Sequence, residues 1–483
     1  MTDVLHSAPS NVGVTLAEGA IQGFRANFRG SLLRPSDPEY EQVRRVWNGM
    51  IDRRPALIAR CIGAADVIAA VNFAREHELI VAVRGGGHNV AGSAVCDGGL
   101  MIDLSLMRGV HVDAKARTAT VQGGATWGDV DRETQIYGLA TPGGLHSLTG
   151  VAGLTLGGGY GLLRSKYGLS CDNVLSVDVV TADGQLVTAN ATDHADLFWA
   201  IRGGGGNFGI VTAFVFQLHP VGPMLYLCAP AYPLEQAGVV GRRWLEFMQL
   251  APAEISGNLS FLNFPNLPDF PPAARGKTAV IPVAIYAGAP AAGEELTRPL
   301  RQLGDPLLDL SQTLPYTVLQ TFNDAALPAY VFQYYWKSVY LETLNGEVID
   351  SITTLVANRP SPPSMVSIWH LGDGIRRVPP TATAFWHRQA PFMVSFDAVW
   401  QNPEEAEQNI AWSRDACAAL RPYSSGGVYV NFPGVGEEGE AQARAAYGGN
   451  YERLVEVKNN YDPTNLFRLN QNIKPTVRTG QGL

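Results

Sequence analysis

No basic run or stripe is visible anywhere along the 483 residues, and 36 Lys and Arg against 44 Asp and Glu leave a formal net charge of −8. Nucleic acid and anionic membrane surfaces are held by clustered positive charge, so both are poor partners for this chain. Long apolar runs are also missing, and none approaches the ~20 residues needed to span a bilayer. The opening residues, Met1-Thr2-Asp3-Val4-Leu5-His6-Ser7, hold neither a basic nor an apolar segment, so no secretory signal is expected. Cysteine is scarce: Cys61, Cys96, Cys171, Cys228 and Cys417 are odd in number, scattered, and never in a Cys-x-x-Cys pair. That argues against a disulfide framework and a zinc site, and fits a reducing cytoplasm. No His-Glu-x-x-His and no Gly-x-Ser-x-Gly occurs, so no metal is expected and no nucleophile elbow is present.

What is present suits a soluble globular protein, with 46% hydrophobic and 17% charged residues. The length requires two or more domains. Residues 1–40, with Pro35 and Pro38, read as an N-terminal arm. Residues 41–220 alternate short β-rich runs with glycine-rich loops. Apolar residues at helical spacing mark 64–78, and strands are expected at 57–61, 79–83, 98–104, 118–122 and 210–218. Val177 to Val180 alternates into an Asp183-Gly184 turn. Residues 221–435 carry most of the tryptophans and smoother strands, such as Lys277 to Tyr286, with helical stretches at 235–250, 292–303, 343–357 and 404–420. This predicts an antiparallel sheet flanked by helices. Residues 436–483 hold one more helix, stopped at Asp462-Pro463. The class is α+β.

Three glycine loops stand out in the first unit. Arg84-Gly85-Gly86-Gly87-His88-Asn89 follows an apolar strand. Gly143-Gly144-Leu145-His146 leads into Gly157-Gly158-Gly159-Tyr160-Gly161, and Arg202-Gly203-Gly204-Gly205-Gly206 precedes Gly209. Glycine lets backbone approach a ligand closely, and successive amides can wrap a phosphate. No Gly-Lys-Ser/Thr follows any of these loops, and no acidic residue stands in the right context ~20 positions on for a Rossmann turn. Three uncharged loops in one domain suit a large, phosphate-linked ligand such as FAD. His88 places a nucleophilic ring nitrogen beside it.

The loop Arg84 to Asn89 resembles the flavin-linking loop of the berberine bridge enzyme-like oxidases, in the vanillyl-alcohol oxidase superfamily. The resemblance continues through Gly157 to Gly161, Lys166-Tyr167-Gly168-Leu169, Asp196-Leu197-Phe198-Trp199, Tyr429-Val430-Asn431-Phe432 and Tyr461-Asp462-Pro463-Thr464-Asn465-Leu466-Phe467. Within the family, the chain is most similar to bacterial members of the 6-hydroxy-D-nicotine oxidase kind. The resemblance implies a bipartite PCMH-type FAD-binding domain, with residues 436–483 returning to it, and a substrate domain at 221–435. It also implies a bond from His88 to the 8α-methyl carbon of the flavin. An imidazole titrating near ~6.5 is largely neutral at pH 7 and available for this. Around His88, the flavin is expected to meet Arg84, Gly85, Gly86, Gly87, Asn89, Val90, Gly92 and Ser93. The second loop offers Leu145, His146, Thr149, Gly150, Gly153, Leu154, Thr155, Gly158, Gly159 and Tyr160. Gly209, Ile210 and Val211 follow the third loop, and Asn431, Asn470 and Asn472 come from the C-terminal blocks. Many plant-type members add a second bond from a cysteine eleven residues before the Gly-Gly-Gly-Tyr-Gly block. Here that position is His146, so a single covalent link is expected, with His146 packing against or hydrogen-bonding the flavin edge.

For catalysis, the resemblance points to two elements. Met393, Ser395 and Asp397 share one side of a strand. Family members that draw a strong base from this strand use Glu, Lys or Gln near Met393 and Ser395. Both are inert here, which leaves Asp397 as the candidate. Tyr429 and Asn431 are expected on one face of another strand. Tyr429 would orient or deprotonate substrate, although a phenol near pKa ~10 needs a positive neighbour to act as a base. Asn431 would hydrogen-bond the flavin. Among Trp336, Trp369, Trp386, Trp400, Tyr330, Tyr334 and Tyr335, a few are expected to line an apolar cavity and the rest to be core. The reading is an oxidase that takes hydride from a small organic substrate, an alcohol, amine or sugar, and reduces O2 to H2O2. Thr149, small and beside the flavin, would leave oxygen unblocked. The alternatives are a dehydrogenase with another electron acceptor and a flavin-binding protein with a degenerate site. Composition and motifs fix no oligomeric state.

Overall fold

The computed structural model describes residues 16–476, so the signal reading at Met1 to Ser7 lies outside the described residues. Two small sheets form the first unit. One runs in the order Ser31–Leu33, Leu57–Arg60, Leu100–Asp103, Val81–Arg84, with the first pairing antiparallel and the other two parallel. Residues of the N-terminal arm are thus part of this sheet. Its helix Glu18–Ala26 lays Phe24 flat on Phe73, with ring centroids 4.4 Å apart. The other sheet is antiparallel, in the order Val110–Asp113, Thr118–Gln122, Ile210–Gln217, Val174–Val180, Leu186–Asn190. The helix Ala64–Glu76 spans the sequence with helical periodicity and buries Val67, Ala70, Val71 and Ala74.

The second unit is a nine-stranded antiparallel sheet. Its central strands are Thr278–Tyr286, Ile255–Asn263, Met365–His370, Phe392–Trp400 and Gln333–Leu341, paired in that order. Side chains alternate across a strand, so each supplies two faces. Leu259, Val280, Ile368, Val394 and Phe396 pack beneath the helices Ala237–Leu250, Gly346–Ala357 and Ala406–Ala419. The opposite face holds Ser260, Ser367, Trp369, Trp336 and Asp397, which look into a cavity shared with the glycine loops. Every residue of Phe392–Trp400 is buried, because helices cover one side and the first unit roofs the other.

The C-terminal segment packs back on the first unit. Ala443, Tyr447, Leu454 and Ile473 share a core with Phe198, Trp199, Phe208 and Val211. A buried ion pair fixes its end: Lys458 Nζ lies 2.7 Å from Asp462, and both side chains are 0% exposed. Lys458 also donates to the carbonyls of Asn207 and Phe467, while Asp462 accepts from the Leu466 and Phe467 N–H groups. Among the described residues, no helix is long and apolar enough to cross a membrane. Replacing Asp462 with Ala should strand the ammonium and free two amides. The expected loss is about 3–5 kcal/mol, read as a lower denaturant midpoint at unchanged slope. A shift of less than ~1 kcal/mol would mean that the pair does not anchor the tail.

Candidate active site

Two glycine loops cross without side chains between them. A Cβ on Gly86 would lie 2.4 Å from the Gly150 nitrogen, and one on Gly150 would lie 2.3 Å from the Gly86 nitrogen. This contact sets His88 beside the second loop. Its ring stacks on Trp47, with centroids 4.6 Å apart at 20°, and Trp47 stacks on Tyr334 at 3.7 Å. His88 Nδ1 is 3.5 Å from the Thr149 hydroxyl, whereas Nε2 is buried with no protein partner. Burial first, and the His146 ring second, hold the His88 imidazole well below its ordinary pKa. It is therefore neutral at pH 7. Among the described residues, the N–H groups of Gly86, Gly87 and His88 have no protein acceptor.

His146 takes a different part from its neighbour. Its Nε2 is 3.2 Å from the Leu327 carbonyl, and Nδ1 lies 3.1 Å from Asp324 and 3.3 Å from the Leu148 nitrogen. Both ring nitrogens are thus engaged by protein, so His146 offers a ligand its carbon face rather than a hydrogen bond. The segment 316–332 supplies two of these partners, Leu327 and Asp324. Asn323 also donates to the Leu145 carbonyl, and Asp324 accepts from Ser147. A stretch of the second unit therefore grips the second glycine loop.

At the other end, the C-terminal segment meets the third loop. Asn470 donates to the Gly206 carbonyl at 3.2 Å. The side-chain oxygens of Asn470, Gln471 and Asn472 are buried without partners. A cavity of about 520 Å³ runs from these groups past His88 to the large sheet. The free loop amides, the glycines that admit no Cβ, the bare His88 Nε2 and the unpartnered amide oxygens suit an elongated phosphate-linked cofactor. FAD fits this lining.

Above His88, the expected strand around Tyr429 is instead a turn, because residues 428–432 pair with no neighbour. Tyr429 and Asn431 still come together: Asn431 Nδ2 donates to the Tyr429 oxygen at 2.9 Å and to the Leu154 carbonyl at 3.0 Å. Those bonds use the Asn431 amide hydrogens and leave its Oδ1 open. The Tyr429 oxygen also accepts from the Gly159 N–H at 3.2 Å, and burial pushes this phenol well above its ordinary value. No cation stands among the groups that shift it. Tyr429 thus keeps its proton, which favours the orienting role over that of a base. Asp397 is the one carboxyl of the expected set. Burial pushes it up to about 7, against the pull of the Ser395 hydroxyl.

Most of the expected residues line the cavity: Gly85 to Asn89, Ser93, Leu145, His146, Thr149, Gly150, Gly153, Leu154, Tyr160, Gly209 to Val211, Tyr429, Asn431, Asn470 and Asp397. Seven stand behind its wall. Arg84 turns away to the Val43 carbonyl and the buried Asp103. Val90 packs in a core with Trp47. Gly92, with φ +75°, leaves room for Ile51. Thr155 is buried in the helix Val151–Leu156. Gly158 and Gly159, with φ +109° and +92°, make way for Phe385 and Ser170. Asn472 is near but not in the lining. Of the aromatic set, only Trp336 and Trp369 line the cavity. Trp47, Arg164, Ser260 and Ser367 also line it and were missed. Trp47 sits in Arg44-Arg45-Val46-Trp47-Asn48, which carries no sequence signal of a site.

Comparison with known proteins agrees with this architecture. Residues 55–190 match the FAD binding domain family, and residues 428–474 match the berberine and berberine-like family. An FAD-linked oxidoreductase of Dictyostelium discoideum is 31% identical, over 94% of this chain and 97% of its own. The (R)-6-hydroxynicotine oxidase of Paenarthrobacter nicotinovorans is 30% identical, over 93% and 97%. Among solved structures, 6-hydroxy-D-nicotine oxidase from Arthrobacter nicotinovorans superposes with a TM-score of 0.83 at 28% identity, covering 92% of this chain and 98% of that one. A chain that shares both halves of the fold, the glycine-loop cradle and near full-length similarity belongs to the berberine bridge enzyme-like family of FAD-linked oxidoreductases.

Proposed function

We propose that this FAD-linked oxidoreductase is an oxidase, tethered to its flavin through His88 alone, acting on an alcohol, amine or sugar. The observation that carries the reading is His88 itself: a buried, neutral imidazole whose Nε2 has no protein partner, in a loop whose amides are free. His146, with both nitrogens engaged and no thiol in its place, supports a single tether. Held by the glycine loops, His88 and the Asn470 end of the cavity, FAD would supply a hydride acceptor and a two-electron route to O2, which takes up two protons to give H2O2. The chain's residues do the rest. Asp397 takes the substrate proton on Oδ1, and Tyr429 holds a substrate oxygen or nitrogen by donating its own proton. The apolar walls exclude water. Thr149 is short and leaves a path for oxygen along the His88 side. The five buried free thiols support a cytoplasmic setting.

Acid-precipitated protein should stay yellow, while His88→Ala should leave a white pellet and release FAD to the supernatant. A white wild-type pellet would sink the tether. Reduced protein should reoxidise in air with one H2O2 per turnover, and sluggish reoxidation would favour the dehydrogenase reading. A base works deprotonated, so kcat/KM should rise as pH climbs through about 7 and then level off. Asp397→Asn should abolish that limb and lower kcat by roughly 10²–10⁴-fold. An unchanged profile in this variant would remove Asp397 from the chemistry.

A further inference from the structure

Two buried polar groups in the substrate chamber have no partner: the Trp336 Nε1–H donor and the Asp397 Oδ1 acceptor. They are register neighbours, Trp336 opposite Asp397, across the Gln333–Leu341 and Phe392–Trp400 strands. Both line the same cavity. Side chains opposite one another in such a pair stand ~4.5–5.5 Å apart at Cβ.

The other Asp397 oxygen is already committed. Trp369 Nε1 donates to Ser395 Oγ at 3.2 Å, so the single Ser395 proton is directed to Asp397 Oδ2 at 3.1 Å. Only Oδ1 remains for a ligand. An unpartnered donor and an unpartnered acceptor are therefore carried by directly opposed residues of one cavity face. An ammonium group satisfies the carboxyl but accepts nothing from Trp336. The same cavity is also lined by a cation, Arg164. Arg164 is 1% exposed, and its hydrogen bonds go to neutral acceptors, the carbonyls of Gly161, Gly257 and His370 and the Asn258 side chain. A hydroxyl answers both groups at once, donating to Asp397 and accepting from Trp336. Leu227, Ile281, Val283, Ile285, Leu319 and Phe322 give the cavity a hydrocarbon stretch, while Ser260 and Ser367 line it on the face that carries Asp397.

We propose that Trp336 and Asp397 clamp a single hydroxyl, and that the substrate is an alcohol rather than an amine. This rests on the assignment of the chamber as the substrate site of a flavin oxidase. The test uses the flavin-loaded protein and two probes that carry no oxidisable C–H at the reacting carbon, 2-phenyl-2-propanol and the isosteric 2-phenyl-2-propylamine. Binding is read calorimetrically at pH 7 and by perturbation of the flavin spectrum. The alcohol should bind at least about tenfold tighter than the amine. Trp336→Phe should weaken the alcohol about five- to tenfold and leave the amine unchanged. Equal or tighter amine binding, no saturable alcohol binding, or a Trp336→Phe variant that binds both probes as wild type does would overturn the clamp. The oxidase reading fails separately. If the alcohol preference holds while no secondary alcohol reduces the flavin, or while the reduced flavin ignores O2, the clamp stands and the oxidase does not.

Discussion

The backbone-to-backbone contact of Gly86 with Gly150 is the constraint from which the rest of the site follows. Neither position admits a methyl group, and a side chain at either would part the two loops. With the loops in contact, His88, Thr149 and His146 gather along one edge of the cavity, and the Trp47 ring closes over the imidazole. Burial then does chemical work. It keeps His88 neutral and leaves one of its nitrogens bare.

The second unit contributes through alternation rather than through loops. One face of its sheet fastens the helices, and the other is free to carry serines, tryptophans and a carboxyl, because packing does not require that face to be apolar. The segment 316–332 and the C-terminal segment hold the two units against the glycine loops from opposite ends. The first uses Asp324 and Leu327, and the second uses the buried Lys458–Asp462 pair. The cavity is thus a product of both units, and neither closes it alone.

The sequence made the glycine loops and His88 legible because glycine runs after an apolar strand have few other uses. Periodicity located the helices Ala64–Glu76, Ala237–Leu250, Gly346–Ala357 and Ala406–Ala419 to within a few residues. It misplaced Tyr429, since Tyr-Val-Asn-Phe alternates like a strand yet lies in a turn held by Asn431 and Gly159. Nor did it separate residues that face the ligand from those that shape the loop. Arg84, Gly92, Gly158 and Gly159 belong to the second kind, and only three-dimensional neighbours such as Asp103, Ile51, Phe385 and Ser170 reveal it. Trp47 and Asp324 were invisible for a related reason. Each acts across more than forty positions of chain, in a stretch with no compositional mark.

His146 has a history written into its surroundings. Exchanging it for a thiol would cost more than one contact. The Leu327 carbonyl, the Leu148 amide and one Asp324 oxygen would lose the imidazole together, in a place where water has little access. A change at position 146 therefore leaves groups in residues 316–332 without their partner. Those two stretches, far apart in the chain, are energetically coupled through these contacts.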